Sequence, residues 1–409
     1  MNRRFPFLFT LLILAVLIAA CNVPGTNTTQ PASGDPLATA VVQTLQALTP
    51  VVETGETPEP EAPADGLLPH TLYYLGTDAA GLKQVFRLER DGTTQRQLTS
   101  EPVDVTSFGA SPVDGSVAYV ANNQLQLINA DGSDRRMLVD GGVMDENNPF
   151  LNVINNPVFS PNGQTLAYGY KGLNLYALSS GVSNLVIENQ LDDSTGSGFI
   201  FPRELYWPER YSPDGSKLLI TLGYYEGASA AIFDPASGGL VRLTGGEGAL
   251  ICCDETEWSA DGSSIYSASR SAGMFTSGMW KVDPSTGVVT TLFTSNYDTS
   301  DFNYADEPYL GPDGQLYFFY AKANTEINSR TPLQLVRSAP DGITGRTVLR
   351  PETFETMNEV LWAPDASFAV VALANTPDTY QGGRAEIVYI DGRPNVVLVP
   401  FAQQMRWGP

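Results

Sequence analysis

The chain predicts an all-β fold, a β-propeller, from three observations: two series of turns, each with seven copies, and short alternating runs between them. The first series is an apolar or aromatic residue, a small residue, Pro and then usually Asp/Asn-Gly. It appears as Ser111-Pro112-Val113-Asp114-Gly115, Phe159-Ser160-Pro161-Asn162-Gly163, Tyr211-Ser212-Pro213-Asp214-Gly215, Trp258-Ser259-Ala260-Asp261-Gly262, Leu310-Gly311-Pro312-Asp313-Gly314 and Trp362-Ala363-Pro364-Asp365, then stops at Trp407-Gly408-Pro409. Pro presets φ and Asp-Gly tolerates positive φ, so each copy reverses the chain between two strands. The second series runs through Asp91-Gly92, Asp131-Gly132, Ser180-Gly181, Ser237-Gly238, Thr286-Gly287, Asp341-Gly342 and Asp391-Gly392. Both series give a period of about fifty residues, the length of a propeller blade.

Between the turns lie runs such as Gln84–Leu88, Leu166–Tyr168, Lys217–Ile220, Gln315–Phe319, Phe368–Val371 and Glu386–Ile390, short and rich in strand-forming residues. Four such strands per unit predict seven blades. Blade one opens at Thr71-Leu72-Tyr73-Tyr74-Leu75 with no Ser-Pro strand before it. Gln404–Pro409 is that missing innermost strand, so the C-terminal strand is expected to complete the first blade and close the ring.

Composition narrows the function. Among 409 residues, 45 are acidic and 23 basic, for a net charge of −22, which argues against nucleic-acid partners because phosphate contacts need clustered Lys and Arg. The 42% hydrophobic content supplies a large core. One histidine, His70, leaves little room for His-based triads or metal sites.

The first residues read as an address. Met1-Asn2-Arg3-Arg4 precedes an apolar run from Phe5 to Ala20, the layout of a secretory signal and short for a membrane-spanning helix. Leu17-Ile18-Ala19-Ala20-Cys21 resembles the bacterial lipobox, in which the peptide is cut before the cysteine and that residue is acylated. The resemblance implies a signal peptide over 1–20 and a protein tethered to the membrane of the cell envelope by lipidated Cys21, on its extracytoplasmic side. Residues 21–66 are rich in Thr, Pro and Glu without Lys or Arg, the composition of a solvated linker. Within it Asp35-Pro36 could cap a helix over 36–48, with Leu37, Val41, Leu45 and Leu48 on one face. The propeller takes 67–409.

The pattern "Ser-Pro-Asp-Gly, strand, strand, Asp-Gly, Arg-x-Leu-Thr" resembles the TolB-type, WD-like β-propeller repeat, seen in Asp91–Thr99 and in Tyr211–Gly215 continuing to Arg242-Leu243-Thr244. That family implies the fold over nearly all of 67–409, offers a six-bladed alternative, and says little about function, because its motifs are turn and packing chemistry. It includes periplasmic partner-binding propellers and the gating domains of prolyl oligopeptidase-like proteases. The latter carry an α/β-hydrolase domain with a Ser nucleophile and a His, for which no room is found here.

Candidate sites follow from the repeat. Long loops gather on the face where one blade crosses to the next, and loops on a rigid scaffold are where binding usually resides. Their aromatics include Tyr224, Tyr225, Tyr297, Phe302 and Tyr304, mixed with acids, a surface suited to a cationic, sugar or peptide ligand. Aligning innermost strands on the Ser-Pro step puts Glu255, Glu307 and Glu359 at one height in three successive blades; Ser107, Asn156, Pro208 and Gln404 occupy it in the others. Three carboxylates at the channel mouth could hold a divalent cation such as Ca²⁺, or bond backbone amides of neighbouring blades. No other cofactor is expected. Cys252 and Cys253 are each other's available partner outside the cytosol once Cys21 is acylated; a disulfide, two thiols and a metal or redox role all stay open. The leading functional reading is a non-enzymatic binding or scaffold module for an envelope protein, peptide or glycan. Its rival is a glycan hydrolase or lyase using the channel-mouth carboxylates.

Overall fold

The chain divides into two units, Met1–Ala62 and Pro63–Pro409. The computed structural model describes residues 66–409 apart from 146, 193–199, 250, 253–255, 271–274 and 328–329. The signal segment, Cys21, the linker through residue 65 with its expected helix, Cys253 and Glu255 lie outside the described residues.

Turn chemistry converts the sequence repeat into consecutive antiparallel meanders. The first comprises β1 (Leu72–Thr77), β2 (Lys83–Leu88) and β3 (Gln95–Gln97); the second β4 (Val105–Ala110), β5 (Val117–Ala121), β6 (Gln124–Ile128) and β7 (Arg136–Asp140). A 3-10 turn at Pro149–Leu151 leads to the third, β8 (Asn155–Phe159), β9 (Thr165–Gly169), β10 (Gly172–Ala177) and β11 (Val182–Glu188). The short β12 (Gln190–Asp192) pairs with the start of β13 (Phe201–Tyr211), which continues into β14 (Leu218–Tyr224), β15 (Gly227–Phe233) and β16 (Leu240–Arg242). The two-residue β17 (Thr244–Gly245) runs parallel to the outer strand of the fifth meander, which is β18 (Thr256–Trp258), β19 (Ile265–Ser269), β20 (Gly278–Val282) and β21 (Val288–Thr294). The sixth is β22 (Phe302–Leu310), β23 (Leu316–Ala323), β24 (Leu333–Ser338) and β25 (Thr347–Phe354); the last is β26 (Met357–Trp362), β27 (Phe368–Leu373), β28 (Gly383–Tyr389) and β29 (Val396–Trp407). No α-helix occurs among the described residues.

The Asp-Gly turns carry the expected chemistry. In Ser212–Lys217, Gly215 takes φ +73° and donates its N–H to the Ser212 carbonyl at 2.8 Å, while the Ser212 hydroxyl donates to Asp214 at 2.6 Å. Where the copies have Gly, Ala366 holds φ +59°.

β29 is twice the usual length because it serves two meanders. Its first half pairs with β28, with Ile387 opposite Val396 and Gly383 opposite Ala402. Its second half pairs with β1, with Leu75 opposite Gln403 and Leu72 opposite Trp407. The first and last meanders thus merge into one seven-stranded sheet, ordered β26-β27-β28-β29-β1-β2-β3.

The apolar core is not one mass. Among the described residues it is a series of clusters, each filling the space between successive meanders. Val85, Tyr73 and Phe108 join the first to the second, and Tyr266, Met279 and Phe318 the fifth to the sixth. One more cluster joins last to first through Val370, Ile387, Met405, Leu72 and Tyr74. Each sheet is therefore buried on both faces, which is why β5 (VAYVA) and β19 (IYSAS) are buried at every position rather than alternating.

Candidate functional site

Among the described residues, six of the innermost strands, all but β18, break register. The pairing of β4, β8, β13, β22, β26 and β29 with a neighbour shifts around Thr106, Asn156, Glu209, Glu307, Asn358 and Gln404. These are β-bulges, and Asn156, Glu307 and Gln404 adopt positive φ of 47°, 50° and 54° within them. A bulge turns one backbone N–H away from its own sheet, and a side chain of the preceding meander accepts it. Ser107 Oγ accepts the N–H of Asn156 at 3.2 Å, and Glu359 Oε2 accepts that of Gln404 at 2.7 Å. Glu359 Oε1 takes the next amide, Met405 N–H. The aligned positions thus stitch meanders together, and Glu359 acts as an acceptor for backbone amides. Glu307 occupies its bulge and offers its carbonyl to the indole N–H of Trp362 at 3.0 Å. Glu255 lies outside the described residues.

Aromatic side chains repeat the stitching one step further along. Trp407 donates its indole N–H to the Trp362 carbonyl at 2.7 Å, Trp258 to that of Arg210 at 3.4 Å, and Tyr309 its hydroxyl to Pro364 at 2.8 Å. These strands surround a cavity of about 440 Å³, lined in part by Phe108, Phe159, Tyr211, Trp258, Trp362 and Trp407, with Pro112, Pro161, Pro213 and Pro364 from the turns. All seven meanders contribute to its wall. Its charged lining is Glu209, Arg210, Glu257 and Arg406. Arg210 pairs with Glu257, and Glu209 accepts the hydroxyls of Thr221 and Thr256. Sequence reading did not single out Arg406 and Glu257, because spacing alone does not say which charged residues of an inner strand line the cavity.

In an antiparallel meander the second-to-third connection and the crossing to the next unit emerge at the same end. Tyr224, the last residue of β14, Tyr225, in the turn that follows it, and Tyr297, between β21 and β22, are therefore on one face, exposed by 38%, 56% and 47%. Tyr225 packs on Phe201 at a 5.0 Å centroid distance. Two expected members of this surface are corrected: Phe302 and Tyr304 are buried inside β22. That strand starts earlier than its turn signals suggest, and Tyr304 is held by Ile327 N–H, which donates to its hydroxyl at 2.8 Å.

A buried ionic cluster lies near the same face. Asp306 meets Arg270 at 3.2 Å, and Arg330 bonds Asn358 Oδ1 at 2.7 Å and the Met357 carbonyl at 3.3 Å. Burial pushes the Asp306 carboxyl up, against the pull of Arg270 and Arg330, while burial and the neighbouring Arg270 guanidinium pull Arg330 down. Tyr380, highly exposed, stacks on Arg330 at 4.6 Å. In the fourth meander Glu204 accepts both nitrogens of the Arg242 guanidinium, one at 2.7 Å, and this pairing holds its carboxyl low. Among the described residues, the Arg203–Arg210 segment thus carries three ion pairs, Arg203 with Asp192, Glu204 with Arg242 and Arg210 with Glu257. Cys252 is buried in the core and disulfide-bonded, with its partner outside the described residues.

No family model matches the chain, and no curated protein matches it in sequence. In structure it is similar to TolB from Acinetobacter baumannii, with a TM-score of 0.42 and 15% identity over 83% of this chain and 66% of that one. A putative TolB from Agrobacterium tumefaciens gives 0.40 and 20% over 75% of this chain and 98% of that one. A prolyl endopeptidase structure gives 0.50 and 14% over 80% of this chain and 47% of that one. At these identities the likeness is one of fold, an all-β propeller, and the chain spans about half of the endopeptidase's length.

Proposed function

We propose that this chain is a lipid-anchored, extracytoplasmic β-propeller of seven blades, closed by β29, that binds an envelope protein, peptide or glycan without transforming it. Support for seven blades comes from the series of core clusters that returns from the last meander to the first, and from the cavity wall drawn from all seven. Arg3-Arg4, the Phe5–Ala20 run and Cys21 support the anchor. No helix among the described residues is long and apolar enough to cross a membrane.

The observation that carries the binding reading is the exposure of the aromatic side chains Tyr224, Tyr225 and Tyr297 together on one loop-bearing face. Tyr side chains offer large, stiff, amphipathic contact area and are enriched at interfaces. The test is capture from native envelope membranes with the full chain, alongside a glycan array, comparing wild type with the Tyr225→Ala/Tyr297→Ala double variant. A partner or glycan retained by wild type and lost in the variant is expected; equal capture by both refutes the loop face.

The carboxylates Glu209 and Glu257 in the cavity wall favour one rival, a glycan hydrolase or lyase. Cleavage of an envelope glycan that disappears in Glu307→Gln or Glu257→Gln would replace the binding reading.

A further inference from the structure

The central cavity contains a cation whose hydrogen-bonding capacity is mostly unspent. Arg406 donates one hydrogen bond, from Nη1 to the adjacent Met405 carbonyl at 2.8 Å. Its nearest carboxylate oxygen among the described residues, Glu359 Oε1, is 3.9 Å away, and both Glu359 oxygens already accept backbone amides. A guanidinium has five N–H donors and stays charged in proteins, so Arg406 cannot resolve this by losing a proton. About a third of its side chain is exposed, and none of its nitrogens is both buried and unpaired. Its remaining donors are therefore accessible, and its side chain is part of the cavity wall. Arg210, the other arginine of the wall, is engaged by Glu257.

We infer that this cavity binds a small monovalent carboxylate with an apolar body, of the kind a short peptide presents at its C-terminus, through Arg406. The planar fork of a guanidinium matches a carboxylate bidentately. The volume, about 440 Å³, lies in the range of small-ligand sites. Phe108, Phe159, Trp258 and Trp362 supply apolar wall beside the charge. The indole hydrogen bonds of Trp258, Trp362 and Trp407 hold that wall in place before any ligand arrives, which lowers the ordering cost of binding. A dianion such as phosphate is disfavoured, because Glu209 and Glu257 stand in the same wall and only Arg406 is unspent. This site is separate from the loop face, and the two can fail independently.

Three tryptophans in the wall make intrinsic fluorescence the natural readout. The full chain in detergent is titrated with N-acetyl-Leu-Phe as the free acid, with the same peptide as its amide, and with galacturonate. The acid is expected to saturate and the amide to bind about ten- to a hundredfold more weakly, the loss expected for one charge-assisted contact. Arg406→Gln should erase the difference between acid and amide, and Arg406→Lys should keep part of it; thermal melting of each variant separates loss of site from loss of fold. Galacturonate binding as tightly as the peptide acid would assign the carboxylate to an acidic sugar instead of a peptide end. Equal affinity for acid and amide, no saturable binding at millimolar ligand, or unchanged acid binding in Arg406→Gln each overturns the inference. Loss of loop-face capture with acid binding intact would refute the other reading alone.

Discussion

Glu359, in β26, accepts the backbone N–H of Gln404, in β29 and 45 residues further along the chain, at 2.7 Å. The same carboxylate takes the N–H of Met405. One side chain thus holds the bulge in β29 at the point where that strand passes from the last meander to the first.

Removing this acceptor should be costly. Glu359→Ala leaves two amides without their partner, and a destabilisation of about 2–3 kcal/mol is expected from the loss of charge-assisted hydrogen bonds. Equilibrium urea unfolding of the full chain measures it; a midpoint within error of wild type would mean that water replaces the carboxylate. Because both oxygens are occupied, melting in EDTA and in millimolar Ca²⁺ at constant ionic strength should coincide. A Ca²⁺-dependent rise that vanishes in Glu307→Gln would establish a cation among Glu255, Glu307 and Glu359.

The closing strand can be tested directly. A chain ending at Val399 loses Gln403–Trp407, the partner of β1, and exposes two sheet edges. It should unfold without a cooperative transition or assemble into higher oligomers, as read by light scattering and thermal melting. A monomer with an unaltered melting profile would refute closure through β29.

The tryptophan contacts predict a graded series. Trp362→Phe removes the N–H donated to Glu307 and should cost about 1 kcal/mol, whereas Trp362→Ala also empties a site packed by Tyr309, Tyr317 and Phe319 and should cost about 3–5 kcal/mol. Chemical denaturation of the two variants distinguishes the terms. Equal losses would show that packing contributes little.

Acid should weaken the fold through its turns. The hydroxyl of Ser259, donating at 2.6 Å, leads the contacts that bring Asp261 down to about 2, and Arg242 leads those that lower Glu204. A carboxyl lowered in the folded state contributes stability that is present above its unfolded pKa, near 4, and lost as pH falls through the folded value. The melting temperature should be flat above about pH 5 and fall towards pH 2. Asp261→Asn should flatten part of that slope; a slope identical to wild type would assign the acid loss elsewhere.

Buried charge gives the last expectation. Asp306 is the carboxylate that faces Arg270 and Arg330, and Asp306→Ala would leave two guanidiniums without it. A loss of about 3–5 kcal/mol is expected, larger than for a surface pair, and is measured by the same unfolding experiment. A loss under about 1 kcal/mol would mean that solvent reaches the cluster.

Much of this architecture is legible in the sequence because turn chemistry is local. Pro presets φ and Asp-Gly accepts positive φ wherever they stand, so Ser212-Pro213-Asp214-Gly215 declares its hairpin without reference to the rest of the chain. The repeat length, the strand runs and the pairing of Gln403–Trp407 with Leu72–Leu75 all follow from that punctuation. Contacts between meanders are another matter. Aligning Glu359 with Glu307 puts them at one height, but only the bulge at Gln404, with its positive φ, turns an amide towards the Glu359 carboxylate. Phe302 and Tyr304 read as loop residues until β22 is seen to begin at Phe302, since strand ends are decided by what packs on them. Arg270 and Asp306 are 36 residues apart, and Arg406 meets its cavity through strands spread over some three hundred residues. Burial, charge pairing and access to the cavity depend on which meanders become neighbours, and no local pattern encodes the distance between two side chains that sit in different meanders.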